Sequence, residues 1–232
     1  MEIGPTTHYI MGGIRVDGDS QMSTIPGLFA AGECASGING ANRLGGNSLS
    51  DLIVFGKRAG EYAAAWAREH QAPRVDDGAI GRIERTALEP FERGRDGENP
   101  YAVQEDLQET MQTLVGIVRT ESEMQEALRR LTDLNARAAR VGVVGHREYH
   151  SGWHTALDLR NLLTVSEAIA RSALERRESR GGHFRDDYPD KHDEFATINV
   201  MVKQSAGAMQ VTRVPIPPVP AELKQVIEEQ KS

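Results

Sequence analysis

A single cysteine, Cys34, occurs in 232 residues. That excludes an internal disulfide and fits a reducing compartment. No uninterrupted apolar run is long enough to span a bilayer, and the first residues carry no signal-peptide pattern. The chain therefore reads as soluble, able to dock on a membrane-bound partner. There is no P-loop and no G-x-G-x-x-G fingerprint, so the strongest dinucleotide signature is missing. Basic residues are outnumbered by acidic ones, 27 to 34, for a net charge of −7. This excludes a general affinity for nucleic acid, while leaving room for a local basic pocket.

What remains is an ordinary globular composition, 39% hydrophobic and 26% charged, sized for one large domain or two modest ones. The opening "MEIGPTTHYIMGG" reads like the middle of a domain, so Met1 is expected to be internal to a longer parent chain. Residues 8–17 mix β-formers with a Gly-Gly break, and Leu28–Ala31 suits a buried strand ending at Gly32. A glycine-rich loop, about 35–46, leads into a helix. Asn47 or Ser48 can cap it, and Leu49, Leu52, Phe55, Ala59, Ala63 and Trp66 recur at helical spacing. Gly56 and Gly60, one turn apart, would let another backbone approach closely.

After Pro73 the character changes. Apolar periodicity predicts helices at about 100–118, 121–141 and 155–178, enough for a small antiparallel bundle. "FATINVMVK" and "MQVTRVPIPPVP" read as two late strands, followed by a short charged helix.

The chemistry concentrates in "GLFAAGECASGINGANRLGGNSLSD". Glu33 stands at a strand end, where ligands of open α/β sheets are read. A helix starting at Ser48 and Leu49 offers free N–H donors and the positive dipole end to an anion or an electron-rich ring edge; plain N-capping is the simpler account. Arg43 offers a rigid fork for a carboxylate, although loop arginines are usually solvated or salt-bridged. His8 taken alone decides nothing. His146, His150 and His154 lie four apart, but Ser151 and Gly152 are expected to interrupt the helix and no further ligand completes a zinc set, so an interhelical or interface role is preferred to a metal. Cys34 lacks a neighbouring His–acid pair and reads as a small buried packing residue.

In this order, "PTTHYIMGGIRVD", "IPGLFAAGECASG", "GANRLGGNSLSDLIVFGKRAG" and "ERRESRGGHFRDDYPD" resemble the succinate dehydrogenase and fumarate reductase flavoproteins, over their C-terminal portion. The resemblance is weakest at 71–150. It implies an α/β plus α chain: the end of a Rossmann-like FAD-binding domain with the substrate loop (1–70), a helical domain built as a three-helix bundle (71–185) and a small β tail (186–232). The implied activity is oxidation of succinate to fumarate, or the reverse, by hydride transfer to FAD. Electrons would pass to an iron–sulfur subunit and through a membrane anchor to quinone, at the inner face of the cell membrane on its cytoplasmic side. His8 and Arg43 would bind the dicarboxylate. Glu33 would read the FAD ribose, and Asn47, Ser48 and Leu49 would meet the flavin. The family's nucleotide-binding glycines, flavin-linking histidine and proton-shuttling arginine lie upstream, so the chain alone is expected to be inactive. L-Aspartate oxidase is a related alternative, although its loop reads closer to ANRLASNSLLE. A non-catalytic helical module is another, with Arg171, Arg176, Arg177 and Arg180 as a partner surface or simply a solvated helix face.

Overall fold

A computed structural model describes residues 8–229. Its centre is set by three helices whose starts are each fixed by a side chain. Asn99 caps α3 (Pro100–Leu114), its Oδ1 accepting from the Tyr101 N–H at 3.0 Å, with Pro100 supplying the preset φ of a first helical position. Thr120 caps α4 (Glu121–Ala138) and pairs with the Glu123 carboxylate at 2.8 Å, a reciprocal arrangement of cap and third residue. His150 caps α5 (Ser151–Glu175), where its Nδ1 accepts from the Trp153 N–H at 3.0 Å.

The apolar stripes of these helices bury one another. Val103 and Leu107 of α3, Ala127, Leu131 and Leu134 of α4, and Leu159, Leu163 and Ala170 of α5 form one core with Val115 and Val141. Full burial of a leucine contributes roughly 1.5–3 kcal/mol, so this cluster is the main apolar reserve of the chain. The observed helices end before the expected bounds at 118, 141 and 178, and α5 begins earlier than 155. Ser151 and Gly152 lie inside its first turn and do not interrupt it, because the His150 cap starts the helix ahead of them.

A fourth helix, α2 (Asp77–Arg93), was not anticipated. Gly78, Gly81 and Pro90 argue against it locally, but the Asp76 carboxylate accepts from the Gly78 and Ala79 N–H groups, and the Pro90 carbonyl accepts from the Val143 N–H at 2.8 Å. Tertiary contact overrides propensity here. α1 (Asn47–Glu69) carries the predicted period. Its N-cap, however, is Gly46 at φ +83°, with no side-chain capping bond, so neither Asn47 nor Ser48 takes that role. The stripe of α1 is only partly covered: Phe55, Ala59, Ala63 and Trp66 are half-buried, whereas Leu49 is 65% exposed and Leu52 49%, and a Cβ at Gly56 or Gly60 would meet open space.

The early strands are shorter than expected. Of residues 8–17 only β1 (Ile14–Arg15) is a strand, paired parallel with β2 (Ala35–Ser36). A Cβ on Gly13 would sit 2.5 Å from the Cys34 carbonyl oxygen, so glycine is required for that approach. Leu28–Ala31 is not a strand. The Ser23 N–H bonds the Leu28 carbonyl and the Ala30 N–H bonds Gln21, a folded-back turn that leaves Leu28 exposed. Cys34, in a short 3₁₀ turn, is exposed rather than buried.

Beyond α5, β4 (Phe184–Arg185) pairs parallel with β3 (Val118–Arg119), and α6 (Asp193–Ala196) precedes a hairpin of β5 (Ile198–Ser205) and β6 (Ala208–Pro215). Ala206 (φ 50°) and Gly207 (φ 79°) form its two-residue turn, with the positive φ values of a primed hairpin turn. α7 (Ala221–Glu229) closes the described chain.

The arginines read as a solvated face are mostly committed. Glu178 is fully buried; its Oε1 accepts from Arg176 at 2.5 Å and from Arg180 at 2.9 Å, and its Oε2 from Arg180 at 3.0 Å and the His192 N–H at 3.0 Å. Arg171 pairs with Glu167, and Arg177 lies 3.7 Å from Glu121. Burial alone would raise the Glu178 carboxyl, but the bonds from Arg180, His192 and Arg176 outweigh it and hold the group at about 2.

Two outcomes follow for chemical unfolding. Glu178→Gln leaves two arginines without their counter-charge and should cost about 3 kcal/mol. In the wild type the Glu178 contribution is complete above the ordinary carboxyl value of 4.5 and is lost as pH falls toward about 2. Urea midpoints between pH 5 and 2.5 should therefore fall more steeply in the wild type than in the variant.

Candidate active site

Five of the six expected site residues, all but His8, lie between the 3₁₀ turn and the first turn of α1. Glu33 lies in the turn Gly32–Cys34, where its Oε1 accepts from the Ile10 N–H at 3.0 Å. That bond ties the His8–Tyr9 segment to the loop. Gly32 has φ +74°, which favours glycine, and a Cβ there would displace the Leu52 side chain in the second turn of α1. Asn47, Ser48 and Leu49 form the first turn of α1, with the Leu49 N–H turned back on the Gly46 carbonyl at 3.0 Å. No side chain caps this turn, and a Cβ on Gly45 or Gly46 would meet nothing within 4 Å. The positive end of the helix dipole therefore opens onto unfilled space.

Arg43 is neither salt-bridged nor simply solvated. Its guanidinium carbon lies 4.7 Å from the centroid of the Tyr9 ring, a cation–π distance, and it makes no ion pair among the described residues. Its backbone N–H bonds Asn42 Oδ1 at 2.8 Å, while its Nε is buried without a hydrogen-bond partner. A buried guanidinium N–H without an acceptor costs free energy, and an anion would relieve it. His8 is exposed, its ring edge-on to Tyr9 at 6.5 Å. Tyr9 thus has both His8 and Arg43 as neighbours of its ring.

Tyr9, Asp51 and Asn39 were missed as site residues. Asp51, in the first turns of α1, is 4% exposed; its Oδ2 accepts from the Tyr9 hydroxyl at 3.2 Å and from Asn39 Nδ2 at 3.4 Å, and its Oδ1 has no partner. The available signal was an aspartate one turn before Phe55, beside the apolar stripe of α1. Burial pushes the Tyr9 phenol up, the Asp51 bond and the charges of Asp51 and Glu33 push the same way, and Arg43 opposes them.

The histidine trio divides. His150 caps α5 and its Nε2 meets the Val144 carbonyl at 3.0 Å; His154 stands 5.9 Å from the Trp153 ring. Among the described residues no group of three or more His, Cys, Asp and Glu is arranged to hold a metal.

Comparison with known proteins gives the family. Residues 104–228 match the family described as fumarate reductase flavoprotein C-term, and residues 1–49 match an FAD binding domain. The chain belongs to the fumarate reductase and succinate dehydrogenase flavoprotein family. It is 38% identical over 223 residues to a fumarate reductase flavoprotein subunit of Mycobacterium tuberculosis, covering 92% of this chain and 38% of the relative. With a succinate dehydrogenase flavoprotein subunit of Coxiella burnetii it shares 40% identity over 205 residues, 82% of this chain and 34% of the relative. Among solved structures, Mycobacterium smegmatis Sdh1 in complex with UQ1 superposes with a TM-score of 0.90 at 47% identity, over 100% of this chain and 39% of that one. A quinol–fumarate reductase with menaquinol molecules gives 0.77 at 32% identity, over 93% and 38%. The chain therefore spans well under half the length of these relatives.

The Tyr9 phenol should titrate above a free tyrosine. Replacing Asp51 with Asn removes the charge but not the burial, so the titration should move part of the way back. Ultraviolet titration of wild type and Asp51→Asn, each corrected by its Tyr9→Phe counterpart, reads the difference.

Proposed function

We propose that this chain supplies the dicarboxylate clamp and one flavin-facing edge of an FAD-dependent succinate dehydrogenase or fumarate reductase, interconverting succinate and fumarate. The observation that carries the reading is Arg43: a partly buried guanidinium, stacked on Tyr9, with a partnerless Nε, in the loop that precedes the uncapped start of α1. Family membership supplies the context.

In this reading residues 1–70 are the end of the Rossmann-like FAD-binding domain with its substrate loop, 71–185 the helical bundle domain and 186–232 the β tail. Bound flavin supplies the two-electron acceptor for succinate oxidation. The uncapped first turn of α1, at Asn47, Ser48 and Leu49, would face the flavin and favour negative charge there through its dipole, and Glu33 would hold the ribose. Arg43 grips one carboxylate of the C4 dicarboxylate with its two-donor fork, and His8 donates to the substrate beside it. Stacking on Tyr9 fixes the plane of the fork, and near-attack alignment depends on that plane. The longer relatives carry a further part of the fold, which provides the rest of the site. Electrons leave through an iron–sulfur subunit to a membrane anchor and quinone, which places the protein on the cytoplasmic face of the cell membrane. No helix among the described residues is long and apolar enough to cross it.

The flavoprotein containing this chain should purify yellow with a flavin spectrum; a colourless preparation that takes up no FAD overturns the assignment. Arg43→Lys replaces the fork with a point charge and should lower succinate turnover at least about 100-fold, a loss of roughly 3 kcal/mol in transition-state binding, with flavin content unchanged. Near-normal turnover removes Arg43 from the site.

A further inference from the structure

The loop that carries Arg43 is not held by its own domain alone. Between α5 and β4 the chain makes a tight turn at Arg180–His183, closed by the Arg180 N–H on the His183 carbonyl at 2.8 Å and the His183 N–H on the Arg180 carbonyl at 3.1 Å. The tip of this turn touches the Arg43 loop. The Gly182 N–H donates to the Ala41 carbonyl at 2.9 Å, and Gly181, at φ +60°, lies so close that a Cβ would run into the Ala41 carbonyl oxygen, carbonyl carbon and Cβ.

The base of the turn is anchored in the helical core. Arg180 forks onto the buried Glu178, and its Nη2 also bonds the His192 carbonyl at 3.2 Å. His183 is held on both ring nitrogens. Arg119 Nη1 donates to Nδ1 at 3.0 Å, so Nε2 carries the hydrogen and donates to the Arg176 carbonyl at 2.9 Å. Arg119 is itself fixed by the Val115 and Gly116 carbonyls at the end of α3. A rigid post built on the ends of α3 and α5 therefore presses on the loop backbone two residues before Arg43.

We propose that the Gly181–Gly182 tip is a positioning element for Arg43, through which the helical region sets dicarboxylate affinity. The proposal rests on the assignment of Arg43 to the dicarboxylate. The glycines touch neither substrate nor flavin in this account; they act through the Ala41 backbone. Small displacements matter, since a 1 Å error in a clamp can cost on the order of 100-fold in rate.

The test uses the holo-flavoprotein and malonate, a dicarboxylate that is bound but not oxidised, titrated by its perturbation of the flavin spectrum. Gly181→Asn tolerates positive φ yet adds the clashing Cβ, so it should weaken malonate about tenfold and raise KM for succinate, with flavin content retained. Gly207→Ala, at φ +79° with open space around it, imposes a backbone penalty at least as large away from the loop and should leave malonate binding unchanged. Wild-type malonate affinity in Gly181→Asn, or an equal loss in Gly207→Ala, overturns the proposal. A measurement on the unsubstituted protein covers the case in which Gly181→Asn does not fold. If post and clamp are coupled, the coupling is reciprocal, so malonate should slow amide exchange across residues 180–183, and unchanged exchange refutes it. The two assignments fail separately: normal malonate affinity in Arg43→Lys sinks the clamp itself, whereas an impaired Arg43→Lys beside a normal Gly181→Asn sinks only the positioning.

Discussion

The buried carboxylate of Glu178 is the interaction on which most of the C-terminal half depends. A carboxylate without solvent is tolerable only when its lone pairs are filled, and here two arginines and a backbone N–H fill them. Each donor then does a second job. Arg176 also bonds the Phe195 and Ile198 carbonyls, joining the end of α5 to the start of β5. Arg180 closes the tight turn that meets the Arg43 loop. A few residues on, the fully buried Arg185 bonds the Ala173 and Leu174 carbonyls, satisfying the last turn of α5, and forks onto Asp187. Asp187 in turn accepts from the Glu121 N–H at the first turn of α4. Helix ends that would otherwise leave unpaired groups are thus tied together by one charged layer under the apolar core.

That layer also explains the state of His183. Burial lowers its pKa, the charges of Arg119, Arg185 and Arg176 lower it further, and the bond to the Arg176 carbonyl opposes them. A histidine whose folded value is depressed supports the fold above its ordinary value and loses that support as pH falls below it. Protonation would also cost the bond from Arg119, because Nδ1 could no longer accept.

The helices of the core could be read from sequence because their signal is local: apolar residues at helical spacing. α2 could not, since what holds it is the distant Val143 N–H on Pro90. α1 shows the opposite limit. Its periodicity reported a helix correctly, yet periodicity does not say what covers the stripe, and the N-terminal end of this one is open. The arginines at 176–180 were misread for a similar reason. Sign alternation in "RRESR" was visible, but whether Glu178 turns inward is decided by the distant His192 N–H and by the Phe195 and Ile198 carbonyls that hold Arg176. In the site, Arg43, Glu33 and the start of α1 were legible as a motif. Tyr9 and Asp51 were not, because their roles come from a contact between segments that no single stretch displays.

Tyr9 clarifies why Arg43 suits an anion from outside. A buried aspartate near an arginine normally captures it as an ion pair, which would quench the fork. Here the Asp51 carboxylate is occupied by the Tyr9 hydroxyl and Asn39, and the ring of Tyr9, not the carboxylate, faces the guanidinium. A cation over an aromatic face is held in plane for roughly 0.5–2 kcal/mol without surrendering its in-plane N–H donors. An ion pair would consume those donors. The arginine is therefore oriented but uncommitted, with one buried N–H still lacking an acceptor. That combination favours a bidentate carboxylate more than either a solvated or a salt-bridged arginine would.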